Sequence, residues 1–506
     1  MANHLYDALF APLSQRSDTL LHLPGGDEIS GQAFLGMAHR AAHALQHLGV
    51  APGDRVAVQI AKSPKALALY AATVAAGAIF LPLNTAYTAE EVAYFVGNAT
   101  PRVLICDPTR QETLTPIARD NGAALVTLDA TGGGAFAALC DGQSEDFTPV
   151  ARAADDLAAF LYTSGTTGRS KGAMLSHANL LSNAEVLTRE WRFDRRDVLL
   201  HALPIFHTHG LFVASNIALL AGASMILLPG FDLDAVIAAL PRATTMMGVP
   251  TFYTRLLSDP RFTRDAVAHM RLFVSGSAPL LAETHSAFEA RTGHRILERY
   301  GMTETNMNTS NPYDGARRAG TVGLPLPGVD LLITDPDTGQ PLPQGAVGMI
   351  EVRGPNVFQG YWQMPEKTRE ELRDTGFFIT GDLGMIDDQG YVHIVGRQKD
   401  LIISGGYNVY PKEVEAMLDD LPGIAESAVI GVPHPDFGEA VLAVLVPEPG
   451  HSPAPDAIGA ALAAGLARYK QPKAYRIVTE LPRNTMGKVQ KNLLRDHYAD
   501  TFAPKV

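Results

Sequence analysis

The sequence predicts an α/β protein in two parts. A large N-terminal domain of parallel-type sheets with helices carries a small antiparallel barrel-like unit, and a small α+β domain follows. Three observations predict this. The chain has 506 residues, too many for one ordinary hydrophobic core. Helix-period and strand-like segments alternate through its first half, the pattern of parallel strands covered on both faces. From about Thr321 the alternation gives way to strands broken by Pro and Gly turns, and beyond Arg397 the pattern changes again.

Taken in order, "SGQAFLGMAHRAAHALQHLGV" reads as a helix stopped near Gly49. "DRVAVQI" is a strand, "SPKALALYAATVAAG" a helix, "AIFLPLN" a strand, "TAEEVAYFVGNA" a helix and "RVLICD" a strand. "DLAAFLYTS" is a buried-strand run that enters a Gly-rich stretch, and "KGAMLSHANLLSN" resumes a strand and then helical spacing. The rhythm returns in "ANLLSNAEVLTREW", "DVLLHALP", "LFVASNIALLAG" and "SMILLP". The segment from "VDLLITDPDTG" to "VFQGYW" reads as the barrel-like unit, placed at 321–396 within a first domain of 1–396. A boundary is placed at 397–400. In 401–506, Pro411 suits the first turn of a helix whose Val414, Met417, Leu418 and Leu421 fall on one face. "ESAVIGVP", "AVLAVLVPEP" and "AYRIVTEL" read as strands, with a helix near "APDAIGAALAAGLARY".

Composition narrows the function. Hydrophobic residues are 46% and charged residues 19%, as in a globular protein. The net charge of −12 argues against nucleic acid as a bulk partner. A local exception lies near the end. Arg468, Lys470, Lys473, Arg476, Arg483, Lys488, Lys491 and Arg495 stand against the single acid Glu480, which suggests a small anionic ligand or else a solvated basic face. Two cysteines, Cys106 and Cys140, make neither a disulfide framework nor a CxxC metal site and fit a reducing, cytoplasmic setting. The start shows no signal or transit pattern. The most apolar stretches are interrupted by Gly77, Pro82, Asn216 and Gly222, so stable membrane association is not expected.

"TSGTTGRSKG", residues 163–172, is rich in glycine and in hydrogen-bond donors. Laid on Gly165, the P-loop pattern puts Lys171 in register but fails at Ser170 and Gly172. Exposed backbone N–H groups and rotatable hydroxyls still suit phosphate oxygens. A plain turn would explain the glycines but not the ordered flanks, so an anion-binding loop is expected. "ERYGMTET" offers Tyr300 as a flat face for a base, Thr303 as a hydroxyl and Glu304 as a hard oxygen for Mg²⁺. Singly, each is more often packing or surface charge. "GFFITGDLG" places Asp382 between glycines, a turn residue or a ligand for vicinal ribose hydroxyls. "GRQKDLIISGGYNVYPKEVE" and "LPRNTMGKVQK" complete the set.

These five motifs, in this order and across essentially the whole chain, resemble the adenylate-forming acyl-CoA synthetases, the ANL superfamily. The resemblance implies two half-reactions. A carboxylate attacks the α-phosphate of MgATP to give acyl-AMP and pyrophosphate, and the thiol of coenzyme A then displaces AMP. It implies that Thr163, Ser164, Gly165, Thr166, Thr167, Gly168 and Lys171 hold the β- and γ-phosphates, with Thr163 and Glu304 at Mg²⁺. Thr303 would meet the α-phosphate. Tyr300 would stack on adenine within the run Glu298, Arg299, Gly301 and Met302, and Asp382 and Arg397 would bind ribose. Lys488 would bridge the carboxylate and the α-phosphate. The small domain would be mobile about Lys399, withdrawing Lys488 and bringing Gly405 and Gly406 to the thiol tunnel. Acylation of Lys488 would then stop the first half-reaction.

For the acid, "LPIFHTHGL", "GVPTFYTRLL" and "VSGSAPL" would line the pocket, with His207 by the carboxylate and Ser277 as a donor to substrate or nucleotide. Arg255 is unexpected in a pocket for fatty or aromatic acids. It is either a surface arginine or a partner for a second carboxylate. The flanking sequences are similar to malonate–CoA ligases, which implies malonate, with some use of methylmalonate. Other small acids, such as oxalate, methylmalonate itself or acetate, stay open, as does a non-catalytic ATP-binding role.

Overall fold

The computed structural model describes residues 2–163, 170–405, 407–463, 466–484 and 487–503. The predicted fold class holds. Two sheets form most of the large domain. The first has six strands in the spatial order Ala124–Thr127, Val103–Cys106, Arg55–Gln59, Ile79–Pro82, Leu157–Thr163 and Lys171–Ser176. Five of them run parallel, and most are apolar and buried along their length because helices cover both faces. The sixth turns back antiparallel, pairing Thr163 with Lys171, so the Gly-rich stretch is the tip of a hairpin.

The second sheet has nine strands: Leu324–Pro325, Asn306–Ser310, Leu297–Met302, Leu272–Ser275, Thr245–Gly248, Val198–His201, Ser224–Leu227, Thr19–His22 and Glu28–Ser30. Its last two form a hairpin that the sequence analysis passed over. Leu21 pairs with Met225 across most of the domain's sequence. Local signals start the helices. Ser63 caps Pro64–Ala75 with Pro64 in its first turn, and Thr88 and Glu91 form a capping box on Ala89–Ala99.

One buried lysine joins the two sheets. Lys62 donates to Nδ1 of His201 at 2.8 Å and to the carbonyls of His201 at 2.7 Å and Leu203 at 2.9 Å. His201 therefore uses Nε2 as its donor, toward the Gly210 carbonyl 2.9 Å away. The loop between begins and ends on this chain of contacts. The helix read at "LFVASNIALLAG" opens as a π-helix, His209–Ser215, before regular turns at Asn216–Leu220; such widened turns favour functional sites.

An antiparallel sheet of Asp330–Thr334, Gly348–Arg353, Phe378–Ile386 and Val392–Arg397 follows. The C-terminal part is built on the long hairpin Ile424–His434 and Gly438–Pro447, with Ala474–Ile477 parallel to its second strand and the helix Pro411–Asp419 packed against its first. Among the described residues, no helix is long and apolar enough to cross a membrane.

Candidate active site

Three strand ends and one turn converge in the cleft between the large domain and the C-terminal part. Thr303 and Glu304 sit in the turn joining Leu297–Met302 to Asn306–Ser310, with Met302 opposite Asn306. The turn needs Gly301, because a Cβ there would lie 1.9 Å from the Asn306 carbonyl oxygen. Tyr300 is buried on the same strand, and its hydroxyl donates to Asp382 Oδ2 at 2.6 Å. Asp382 faces Arg397 across the next sheet, with Arg397 Nε 3.0 Å from Oδ1. The carboxylate raises the Arg397 pKa above its ordinary value despite partial burial. Tyr300, Asp382 and Arg397, predicted from separate motifs, thus form one contiguous cluster.

Glu304 is buried, which raises its pKa, while Lys171 and the Tyr361 hydroxyl hold it down. Lys171 Nζ lies 2.9 and 3.0 Å from the two oxygens of Glu371 and 3.0 Å from the Tyr361 hydroxyl. Neither Tyr361 nor Glu371 was singled out from the sequence. The "VFQGYW" run was quoted only as part of a strand-rich segment.

Lys488 follows the turn at Asn484, whose side chain accepts from the Lys488 N–H at 3.0 Å. The residue is exposed to solvent, although much protein lies around its ammonium. That desolvation lowers its pKa to about 8, aided by Arg397 and Arg299 and opposed by Asp382 and Glu304. Its ammonium is within electrostatic reach of those motif residues. Lys399, in the short turn Gln398–Asp400, also has a lowered pKa, through burial and Arg397. Its neighbour Asp400 is paired with Arg495 at 2.9 Å.

The acyl side holds two neutral imidazoles. Burial, with Lys488 and Arg299 nearby, lowers the His207 pKa to about 3, and burial with Arg299 also lowers that of His209. Ser277 Oγ lies 3.2 Å from His209 Nδ1, so His209, which the sequence analysis does not name, shares this pocket with His207.

Arg255 is a correction. Of the two readings, the carboxylate partner implied by the resemblance needs a guanidinium in the pocket, but Arg255 is exposed on the helix Pro250–Leu257, its guanidinium carbon 5.9 Å from the Phe231 ring centre. The buried guanidinium belongs to Arg299, expected only as part of the nucleotide run. It is 3% exposed, and its Nε and Nη2 find no hydrogen-bond partner among the described residues. Burial brings its pKa down to about 9. Its neighbour Glu298 is buried too, its pKa pushed up to about 8 by desolvation, with Oε1 accepting from the Leu280 N–H at 3.2 Å.

Ser164, Gly165, Thr166, Thr167, Gly168 and Gly406 lie outside the described residues. Thr163 closes its strand beside Lys171, with its hydroxyl 3.4 Å from the Lys171 carbonyl. Gly405 has a left-handed backbone, and Ile403 and Tyr407 nearby are exposed.

A family model described as AMP-binding enzyme matches residues 14–362, and one for the AMP-binding enzyme C-terminal domain matches 413–488. The chain belongs to the AMP-binding enzymes. This AMP-binding enzyme is thereby a member of the adenylate-forming superfamily anticipated from its motifs. It is 37% identical to a feruloyl-CoA synthase of an Amycolatopsis species over 96% of this chain and 97% of that one. It is 34% identical to the malonate–CoA ligase of Arabidopsis thaliana, over 88% and 78%. Among solved structures it is similar to ATP-bound MatB from Rhodopseudomonas palustris, at 57% identity, TM-score 0.97, over 99% of this chain and 100% of that one. The apo form of the same protein gives 0.86. One sequence giving two scores differs in conformation, and this AMP-binding enzyme has the shape of the ATP-bound form.

Proposed function

We propose that the chain catalyses the AMP-forming ligation of malonate to coenzyme A through a malonyl-adenylate. The observation that carries this is Arg299: a buried cation with unused donors, beside two histidines kept neutral by burial. An uncompensated buried charge is costly. A dicarboxylate relieves that cost, because one carboxylate pairs with Arg299 while the other lies toward Lys488. Ferulate has no second carboxylate and would set an apolar ring against the guanidinium, so its ligase's slightly higher identity does not carry over to substrate.

In the first half-reaction Lys488 bridges the attacking carboxylate and the α-phosphate. With a pKa of about 8 it is mostly protonated at neutral pH. His207, uncharged, lines the path without competing for the carboxylate. Asp382 and Arg397 receive the ribose, Tyr300 the adenine and Thr303 the α-phosphate. The residues present fit a magnesium ion: Glu304 offers a carboxylate in a cleft with Lys171, and Thr163 a hydroxyl at the phosphate end. Bound there with the triphosphate, the ion would supply charge neutralisation at the phosphate oxygens. The C-terminal part then turns about Lys399, withdraws Lys488 and brings Gly405 and Gly406 toward the incoming thiol.

The test is a thioester assay with ATP, Mg²⁺ and coenzyme A, offering malonate, methylmalonate, oxalate, succinate, acetate and ferulate side by side and following AMP and pyrophosphate. Strong malonate turnover with weaker methylmalonate supports the reading, since one methyl is worth only about 1–3 kcal/mol in a pocket. Preference for acetate or ferulate discards malonate and keeps the adenylation chemistry.

A further inference from the structure

Lys171 is expected to serve the triphosphate, yet all three of its N–H groups are already directed at protein. Two meet the carboxylate of Glu371 and the third the Tyr361 hydroxyl, with the ammonium 4.1 Å from the Tyr361 ring centre. Glu371 ends the helix Pro365–Glu371 and also pairs with Lys367 at 2.9 Å. The Tyr361 hydroxyl stands 2.6 Å from Glu371 Oε2 and 3.0 Å from Glu304 Oε1. One carboxylate thus ties the lysine after the phosphate loop to the acid expected at Mg²⁺.

The backbone repeats the connection. Residues 358–362 lie along the strand that leaves the loop: the Met174 N–H donates to the Gly360 carbonyl, the Gln359 N–H to Met174 and the Trp362 N–H to Gly172. The Phe358 N–H donates to the carbonyl of Glu304 itself at 2.8 Å. Tyr361 is 2% exposed, so the hydroxyl has little freedom to leave. Without the Glu371 carboxylate, Lys171 would keep the Tyr361 hydroxyl as its only direct hydrogen-bond partner among the described residues.

We propose that Glu371 is a positioning residue of the adenylation half-reaction, holding Lys171 and, through Tyr361, Glu304 in register for the incoming triphosphate. This rests on the ATP-site reading above. The near-isosteric Glu371→Gln keeps the shape and removes the charge, and Tyr361→Phe removes the hydroxyl that reaches Glu304, Glu371 and Lys171 while leaving the Lys171–Glu371 ion pair in place.

Both variants of the full chain are compared with the unaltered enzyme in two assays. One is malonate-dependent ATP–pyrophosphate exchange, titrated with Mg²⁺. The other is conversion of synthetic malonyl-AMP by coenzyme A. The expected result for Glu371→Gln is a loss of about tenfold or more in kcat/KM for MgATP, a several-fold rise in the Mg²⁺ needed for half-maximal exchange, and adenylate conversion within about twofold of normal. Tyr361→Phe should reproduce the Mg²⁺ shift with a smaller loss. Equal losses in both half-reactions, unchanged exchange, or a lower KM for ATP would each overturn the proposal, the last because Glu371 would then merely compete for Lys171. Absence of exchange in the unaltered enzyme with every acid would instead overturn the ATP-site reading itself.

Discussion

Arg299 lies flat across Gly276. A Cβ at that glycine would stand 2.3 Å from the guanidinium carbon, closer than any real contact. The glycine therefore makes the berth in which the guanidinium is held, and Gly276→Ala has to evict it. The expected outcome is at least a tenfold rise in KM for malonate with the KM for ATP within about threefold, read from initial-rate kinetics on both substrates.

Removing the charge tests the same relationship from the other side. Leaving a buried charge uncompensated is costly, so replacing it by an apolar side chain of similar length removes a desolvation penalty. Arg299→Met is accordingly expected to unfold at an unchanged or higher temperature while losing malonate use by a hundredfold or more. Arg255→Ala is the companion experiment. An exposed guanidinium already has water as a partner, so its loss should cost less than that of Arg299. A larger loss at Arg255 would return the substrate role to it.

Lys488 gives a pH signature. Its pKa is lowered to about 8, and the protonated form bridges carboxylate and phosphate. Adenylation kcat/KM should therefore fall as pH rises through about 8, while a lysine at its ordinary value would hold the rate to beyond pH 10. Bound phosphates favour the cation, so the corresponding break in kcat should lie higher. A flat kcat/KM profile between pH 7 and 10 would show that the Lys488 amine is not held below its ordinary pKa in the free enzyme.

Neutralising Lys488 should separate the half-reactions. Lys488→Gln, like acylation of the amine, removes the positive charge. ATP–pyrophosphate exchange is expected to fall by a hundredfold or more, with coenzyme A still converting synthetic malonyl-AMP within about threefold of the normal rate. Full turnover after stoichiometric acylation at this residue would contradict the assignment.

The sequence was most legible where chemistry is carried by compact motifs. Tyr300, Asp382 and Arg397 come from three separate stretches and meet in one hydrogen-bonded cluster. The alternation of helices and strands gave the parallel sheets because strands buried on both faces read as apolar runs. What stayed hidden depends on packing between distant segments. Arg299 and Arg255 are chemically identical in sequence. Only the glycine under one and the open helix face under the other decide which is buried. Glu371 sits in an ordinary charged helix turn, and nothing local marks it as the partner of Lys171 two hundred residues away. Lys62 likewise carries no local mark, since its partners His201 and Leu203 lie far along the chain.

The strand Thr19–His22 has a consequence for how the chain is made. It belongs to the second sheet, where Leu21 lies beside Met225, yet it leaves the ribosome long before that neighbour exists. At about 5–20 residues per second the wait is on the order of tens of seconds. Throughout it, Leu20 and Leu21, both wholly enclosed in the finished protein, face solvent or a chaperone. The Pro-Gly-Gly turn and Glu28–Ser30 give the strand a provisional companion on one side, with charged Glu28 discouraging sticky encounters there. Nascent chains should thus remain vulnerable to proteases at their very beginning until the middle of the message has been translated.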